Sequence, residues 1–396
     1  MKKVYLSLLT CMIFIPFFSQ AEVRINGFAS IYGGKTLDND ESIYGYSDDI
    51  DWQNGSLFAV QLSSDLSEGL SATAQILARG NNDFNAEFEW AYLTYSISDN
   101  AQISTGKMRI PFYRYSDFLD VGYAYRWAKP PQSVYNLNFS TYEGVSYLYT
   151  SYLSEWDSSL QLIYGAVDTE FSAITDSDKG QLKDTFGVNW SLSNDWFTAR
   201  LAYLVTETTI DLSGSAELSA LIGGLQAYGL TGQSNNIEVM EDDSYFAAVG
   251  IGINYENILL DAEYTEFEID NSIFAKQQQY YISLGYQFDS VTLSLTYENN
   301  DDENSRDQFN QVPRAITGPN GIEIPVVVPN SEPAIYLQDL TNSALASQRA
   351  SSDTYSFAFK YDFHTSATFK AQLTKLEDDI TGVNTGLLIF GVDLVF

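Results

Sequence analysis

Along most of this chain apolar and polar residues change places at every step. Phe186, Val188, Trp190 and Leu192 interleave with Thr185, Gly187, Asn189 and Ser191; Tyr355, Phe357, Phe359, Tyr361 and Phe363 interleave with Thr354, Ser356, Ala358, Lys360 and Asp362. A period of two puts the two sets on opposite faces of a β-strand, so the chain must build sheets with one greasy and one polar face. Soluble sandwiches alternate too, and three further features separate the cases. The segments run to about nine to twelve residues, longer than the usual soluble strand and suited to a tilted membrane crossing. Large aromatics crowd the apolar face near segment ends, as interfacial girdles do, and the chain holds 28 Tyr and 24 Phe. Connections also alternate in length. Short turns fall at Ser67-Glu68-Gly69, Ser98-Asp99-Asn100, Ser154-Glu155, Ser193-Asn194-Asp195, Glu256-Asn257, Asp289-Ser290 and His364-Thr365, with long acidic or irregular stretches between them.

These features predict an all-β fold: a closed antiparallel transmembrane β-barrel of about 16 strands, a size that leaves an aqueous lumen. Closure is a physical demand. Hydrocarbon offers backbone N–H and C=O groups no partners, so no sheet edge can stand open in it. The first strand, with Val23, Ile25, Ala29 and Ile31 on one face, is therefore expected to pair with the last. The polar faces should line the lumen, among them Arg24, Arg79, Asp261, Glu263, Lys360 and Lys370. Glu87 and Glu89 belong with them, although Ala91 and Leu93 share their parity. No stretch beyond the N-terminal residues offers the roughly eighteen consecutive apolar residues of a spanning helix.

Residues 1–21 read as a signal peptide cleaved on export, leaving 22–396 as the barrel. Lys2 and Lys3 precede an apolar run from Val4 to about Phe18, and Ser19-Gln20-Ala21 supplies the small residues of a cleavage site. Cys11, the one cysteine, lies inside this leader, so the remainder has no thiol chemistry. A formal charge of −32 excludes nucleic acid as a partner. The acid gathers in 38–51, 211–243 and 301–339, read as solvated outer loops. Glu217–Leu230 is expected to form a helix at the barrel mouth or against a neighbouring subunit. Pro319-Asn320-Gly321 predicts a turn between short extended pieces. His364, the single histidine, falls at a short turn with no nucleophile near it, and the acidic run 37–41 lacks calcium-loop spacing. No enzymatic activity, metal or cofactor is expected.

One stretch breaks the alternation. Arg109 to Phe139 reads RIPFYRYSDFLDVGYAYRWAKPPQSVYNLNF, and Pro111, Pro130 and Pro131 bar it from regular strand. It gathers Arg109, Arg114, Arg126 and Lys129 around Asp117 and Asp120. Ser116 is placed to cap a short helix starting at Asp117, with Gly122 to end it. The closing segment carries Leu388, Phe390, Val392, Leu394 and Phe396 on one face and reaches a terminal aromatic. The leader, the alternating strands, the segment GKMRIPFYRYSDFLDVGYAYRWAKPPQSVY and this closing strand together resemble the Gram-negative porins of gammaproteobacteria. The resemblance covers essentially all of 22–396. The segment lacks the PEFGG-type motif of the best-known enterobacterial members.

The resemblance implies a passive channel for small hydrophilic solutes and ions in the outer membrane of a Gram-negative bacterium. It implies an inward-folded loop after strand 5, at 109–139, that constricts the barrel. It implies a homotrimer, contact with outer-membrane lipid and lipopolysaccharide, and an assembly signal in Phe390, Val392, Leu394 and Phe396 read by the barrel assembly machinery. Arg109, Arg114, Arg126 and Lys129 would then face carboxylates across the narrowest point, with Asp117, Asp120, Glu87, Glu89, Asp261 and Glu263 as candidates. Opposed charges there create a transverse field. The bland alternative is that these pairs pin the loop to the wall. A solute-specific channel and a surface-binding barrel without a pore remain competing readings. Lumen carboxylates and acidic mouths predict a mild cation preference.

Overall fold

The computed structural model describes residues 22–137, 139–170, 179–211, 215–227, 231–235, 237–303 and 349–396, with the short pieces 316–317 and 323–324 and residues 341 and 344. The leader 1–21 and the Pro319-Asn320-Gly321 turn lie outside the described residues. Sixteen strands close into one antiparallel barrel. In chain order they are β1 (Val23–Thr36), β2 (Leu57–Ser67), β3 (Leu70–Arg79), β4 (Ala86–Ser98), β5 (Ala101–Arg109), β6 (Thr141–Leu153), β7 (Trp156–Glu170), β8 (Lys179–Ser193) and β9 (Phe197–Asp211). There follow β10 (Val239–Tyr255), β11 (Ile258–Ile269), β12 (Gln277–Phe288) and β13 (Val291–Asp301). Two short strands, β14 (Ile316–Thr317) and β15 (Glu323–Ile324), pair with each other outside the ring. The barrel finishes with β16 (Ser351–His364), β17 (Ala367–Asp378) and β18 (Asn384–Val395).

The expected seam is present. β1 pairs with β2 on one side and β18 on the other, with Phe28 opposite Val395 and Thr36 opposite Leu387. Gly27 and Phe396 exchange backbone hydrogen bonds of 2.8 and 2.9 Å. The Phe396 ring lies against Gly27, where a Cβ would sit 2.3 Å from it. No strand in the ring keeps a free edge, which is the condition hydrocarbon imposes.

The two faces separate as the alternation requires. On β16, Thr354, Ser356 and Ala358 are buried while Tyr355 and Phe357 are exposed. Outward side chains are large and apolar: Ile25 is 66% exposed and Leu295 64%. In water such a surface would aggregate, whereas facing lipid it is the stable arrangement. Tyr95, Tyr152, Trp196, Tyr255, Phe288 and Phe363 form an exposed aromatic girdle at the short-turn end. The two-residue turns there are tight enough to put Ser154, Glu256 and Asp289 at positive φ (60°, 52° and 48°). The chain holds no helix long and apolar enough to cross a membrane among the described residues.

Three local findings refine the reading from sequence. The parity conflict in β4 is resolved by a bulge: Gln75 pairs with Trp90 but Ile76 with Phe88, so Glu89 is an extra residue. Phe88 can then face lipid while Glu89 faces inward, and Leu93 returns to the outside. The expected Ser116-capped helix is not formed. Ser116–Phe118 and Gly122–Ala124 are separate 3-10 turns, and the Ser116 hydroxyl accepts from the Tyr113 amide instead. Gly122 begins the second turn rather than ending a helix. The helix expected at 217–230 is α1 (Ala216–Ala227), followed by α2 (Thr231–Asn235). Leu218, Leu221 and Leu225 share one stripe of α1 and are buried; residues 228–230 lie outside the described residues.

Candidate functional site

The segment between β5 and β6 meets the inward-facing side chains of strands all around the ring. Its apolar start packs on one wall. Phe112 lies 4.5 Å, centroid to centroid, from Phe246 of β10, and Tyr113 lies 5.5 Å from the same ring. Ile163 and Val167 of β7, Leu182 of β8, and Ala202 and Leu204 of β9 complete a dry cluster with them. These strand residues face inward but are apolar, where the sequence reading expected a polar lining.

The charged residues of the segment find partners on other strands. The Arg114 and Arg126 guanidiniums both pair with Asp261 of β11. Arg114 also donates to Thr198 Oγ1 at 2.8 Å, and it fits only because residue 252 is glycine: a Cβ there would lie 1.9 Å from Nη2. Glu263 accepts from the Arg114 amide at 2.7 Å and from the Tyr135 hydroxyl at 2.6 Å. Glu298 of β13 accepts from the Ser133 amide at 3.0 Å. Arg126 stacks 4.6 Å from the Trp127 ring centre, and Trp127 donates to Thr296 at 2.9 Å. Burial pushes the Tyr113, Tyr125 and Tyr135 phenols well up, so they remain neutral donors.

The middle of the segment is held by a buried ion pair. Lys370 of β17 pairs with Asp393 of β18 at 3.0 Å. Its ammonium also donates to the Gly122 carbonyl and to the Trp127 carbonyl, the latter at 2.8 Å. Asp393 accepts further from Ser30 (2.6 Å) and Tyr32 (2.7 Å) of β1. Gly122 lies so close that a Cβ would sit 2.1 Å from the Asp393 carboxylate. Lys360 completes this side, donating to the Tyr123 carbonyl at 3.4 Å.

Opposite, four charges alternate in a ring. Arg79 of β3 pairs with Glu89 at 3.0 Å and with Asp120 at 3.1 Å; Arg109 pairs with Glu89 at 3.1 Å and also with Asp120. Burial pushes the Asp120 carboxyl up, but Arg109 and Arg79 outweigh it and hold it below the usual carboxylate range. Lys129 differs from the other basic residues of the segment. Its ammonium stands 5.7 Å from the ring centres of both Tyr44 and Tyr46, and among the described residues no carboxylate reaches it. Burial lowers it to about 8.

Cavities remain on the β1–β5 side. One, of about 460 Å³, is lined by Ser30, Tyr32, Tyr46, Arg79, Asp120 and Lys129 with their neighbours. Another, of about 470 Å³, is lined by Asn26, Gln61, Gln75, Trp90 and Asp117 among others. Asn26 and Phe28 line the second while Ser30 and Tyr32, next along the same face of β1, line the first. No residue lines both. Arg79, Arg109 and Asp120 of the quartet line the first, upper cavity; the second, lower one lies toward the short-turn end, where Val121 packs on Phe28 and Leu77.

The structure thus brings together Arg109, Asp120, Arg79 and Glu89, and separately Arg114, Arg126, Asp261 and Glu263. Asp117 reaches the lower cavity. Glu87 stands near the mouth, bonded at 2.7 Å by Asn82. Arg24 sits on the short-turn rim in an exposed pair with Asp65. Lys370 faces inward but is fully covered. Sequence reasoning missed Asp393, Trp127 and Tyr135. For Asp393 a signal existed, since it interrupts the inward face of β18 as a lone acid. His364 only accepts from the Ser366 amide at 3.1 Å in its turn, and no metal-ligating cluster occurs among the described residues.

A lipid-facing ring of sixteen strands, crossed inside by a charged segment that leaves cavities along one wall, defines an outer-membrane channel. The sequence matches the Gram-negative porin family over residues 8–381, and the chain belongs to that family. Solved structures with the same fold include the outer-membrane channel DcaP of Acinetobacter baumannii (11% identity, TM-score 0.58, 95% of this chain and 97% of that one). An anion-selective porin from Comamonas acidovorans matches at 12% identity with TM-score 0.55, over 95% and 100% of the two chains. The trimer form of OmpT, an outer-membrane protein of Vibrio cholerae, matches at 11% with TM-score 0.54, over 95% and 99%. At these identities the likeness is one of fold. No curated protein sequence matches.

Proposed function

We propose that this protein is a passive diffusion channel for small hydrophilic solutes and ions, with the segment 109–139 as its constriction. The observation that carries the reading is the pair of cavities along one face of β1, one bordered by Asp120 and the other by Asp117. Solutes descend this wall past Arg79, Arg109, Asp120 and Lys129, then past Asp117. Arg114, Arg126, Asp261, Glu263 and Lys370 act instead as pins that hold the segment in place, and Glu87, Arg24 and Lys360 tune the two mouths. Of the lumen carboxylates behind the expected cation preference, Glu89, Asp120 and Asp261 are paired with arginines, so that preference rests on Asp117, Glu87 and the acidic outer loops. Transport is downhill and involves no catalysis or cofactor.

Residues 1–21 serve as the export leader. The chain assembles as a homotrimer, a reading supported by the trimeric Vibrio cholerae relative of the same fold. Phe390, Val392 and Leu394, on the outward face of β18, with Phe396 just beyond it, are the signal for the barrel assembly machinery, and lipopolysaccharide surrounds the long-loop end.

Planar-bilayer recording of the purified protein tests both halves. Folded wild-type protein gives unit conductance steps, and deletion of 112–135 raises them. Absence of steps overturns the channel; an unchanged unit conductance in the deletion overturns the constriction. Liposome swelling with uncharged sugars of graded size then gives a cutoff without saturation.

A further inference from the structure

We infer that the upper cavity is a binding site for a small aromatic carboxylate, with the Lys129 ammonium as its charge partner. The inference rests on the channel reading only for how the solute arrives. A volume of about 460 Å³ suits a solute of one ring. The charges around it decide the sign. Arg79 and Arg109 are each balanced by Glu89 and Asp120. Lys129 lines the same cavity without a carboxylate among the described residues, and its backbone amide is already fixed by Gln372 of β17 at 3.2 Å. The Lys129 ammonium donates a long hydrogen bond of 3.4 Å to the Tyr44 carbonyl but lacks a counter-charge among the described residues, and a bound carboxylate supplies one through a charge-assisted hydrogen bond.

The walls decide the body of the ligand. Tyr46, Tyr125, Tyr135, Leu57 and Ile389 line the cavity beside the charged groups. Tyr46 and Tyr44 flank the ammonium with ring faces, which steady a cation without neutralising it. A neutral sugar would leave Lys129 uncompensated, and an organic cation would be repelled. An aromatic carboxylate satisfies both the ammonium and the rings.

The site should respond to pH, because burial lowers Lys129 to about 8. The groups facing it are Tyr44 and Tyr46 from the first long loop, whose phenols burial pushes up. Glu298 of β13, held by Ser133, acts on Tyr44 as well. Arg79, Arg109 and Asp120 lie across the cavity, and the Lys370–Asp393 pair is closed on itself. The phenols therefore stay neutral as the ammonium loses its proton. Anion affinity should fall as pH rises through that value.

The test uses the folded full chain in detergent, titrated calorimetrically with benzoate and with benzamide, its neutral counterpart. Benzoate is expected to saturate one site and benzamide not to. Lys129→Gln should weaken benzoate about tenfold, the loss of one charge-assisted contact. Lys129→Arg should retain binding but abolish its decline between about pH 7 and about pH 9, because guanidinium stays charged. Equal binding of benzoate and benzamide, or unchanged affinity in the folded Lys129→Gln protein, overturns the site; should that variant fail to fold, an undiminished pH decline in Lys129→Arg does so. In bilayers the readings part. Benzoate binding without conductance steps removes the channel and keeps the site, whereas steps indifferent to benzoate remove the site and keep the channel.

Discussion

The wall formed by β7 to β10 and the wall formed by β1 to β5 obey the same alternation and yet enclose different interiors. On the first, the inward residues Ile163, Val167, Leu182, Leu204 and Phe246 bury themselves against Ile110, Phe112 and Tyr113. On the second, Asn26, Ser30, Gln61, Gln75 and Arg79 border cavities. A period of two says only which residues leave the lipid. Whether the far side is wet or dry depends on what is packed against it. The segment after β5 is therefore two-sided: one set of its side chains, Phe112 and Tyr113 with Val134 and Tyr135, is apolar, and another, Arg109 with Asp120, is charged. Its apolar set docks like part of a soluble core, and its charged set borders the cavities.

The largest expected effect comes from spoiling the dry wall. Phe246→Glu puts an unpaired carboxylate, which burial strongly disfavours, where Phe112 and Tyr113 now pack. The segment should undock and the unit conductance should rise severalfold; a wild-type conductance from folded protein would mean that the dry wall does not hold it. Next comes the pin. Lys370→Met strands the Asp393 carboxylate beside Gly122, and loss of one partner from a buried pair costs about 3–5 kcal/mol. The heat-induced unfolding seen on gels should move to lower temperature, and the double change Lys370→Met with Asp393→Leu should recover most of the loss. A single change no worse than the double would argue against the pair as an anchor.

The smallest effect belongs to the wet wall. Asp120→Asn frees part of Arg79 and Arg109 from the quartet, so reversal potentials in a salt gradient should shift toward anions, with a loss of stability at neutral pH smaller than that of Lys370→Met. Asp120 is held below its ordinary value of 3.8, so its contribution is complete above that value and is lost as pH falls through the lower folded one. Wild type should therefore lose more stability than Asp120→Asn only below about pH 4. A divergence beginning near neutrality would assign the effect to another group.

Much of this was legible in the sequence because it is local. Strand bodies such as β5 and β12 follow from alternation and turn residues, and the seam follows from the need to leave no edge. The position of the irregular segment follows from Pro111, Pro130 and Pro131. What was hidden depends on pairing at a distance. The bulge at Glu89 is set by its register with Gln75 and Ile76, which no reading of β4 alone can supply. That Arg114 and Arg126 converge on Asp261 depends on the path of the segment, and so does the covering of Lys370. Ser116 had the right residue type for a cap, but the chain turns again at Gly122 because the Asp393 carboxylate leaves no room for more than glycine.

The seam between β1 and β18 has a kinetic meaning. Ser30 and Asp393, joined across it, are 363 residues apart in the chain, while each hairpin beside a short turn needs only a few residues to meet. The entropy of closing a loop grows with the logarithm of its length, and distant pairings are slow to form. Hairpins should accordingly zip early and the ring should shut last. Every species before that moment carries two raw strand margins that hydrocarbon will not solvate. The bilayer thus acts as a proofreader, accepting the finished circle and refusing each arc that precedes it.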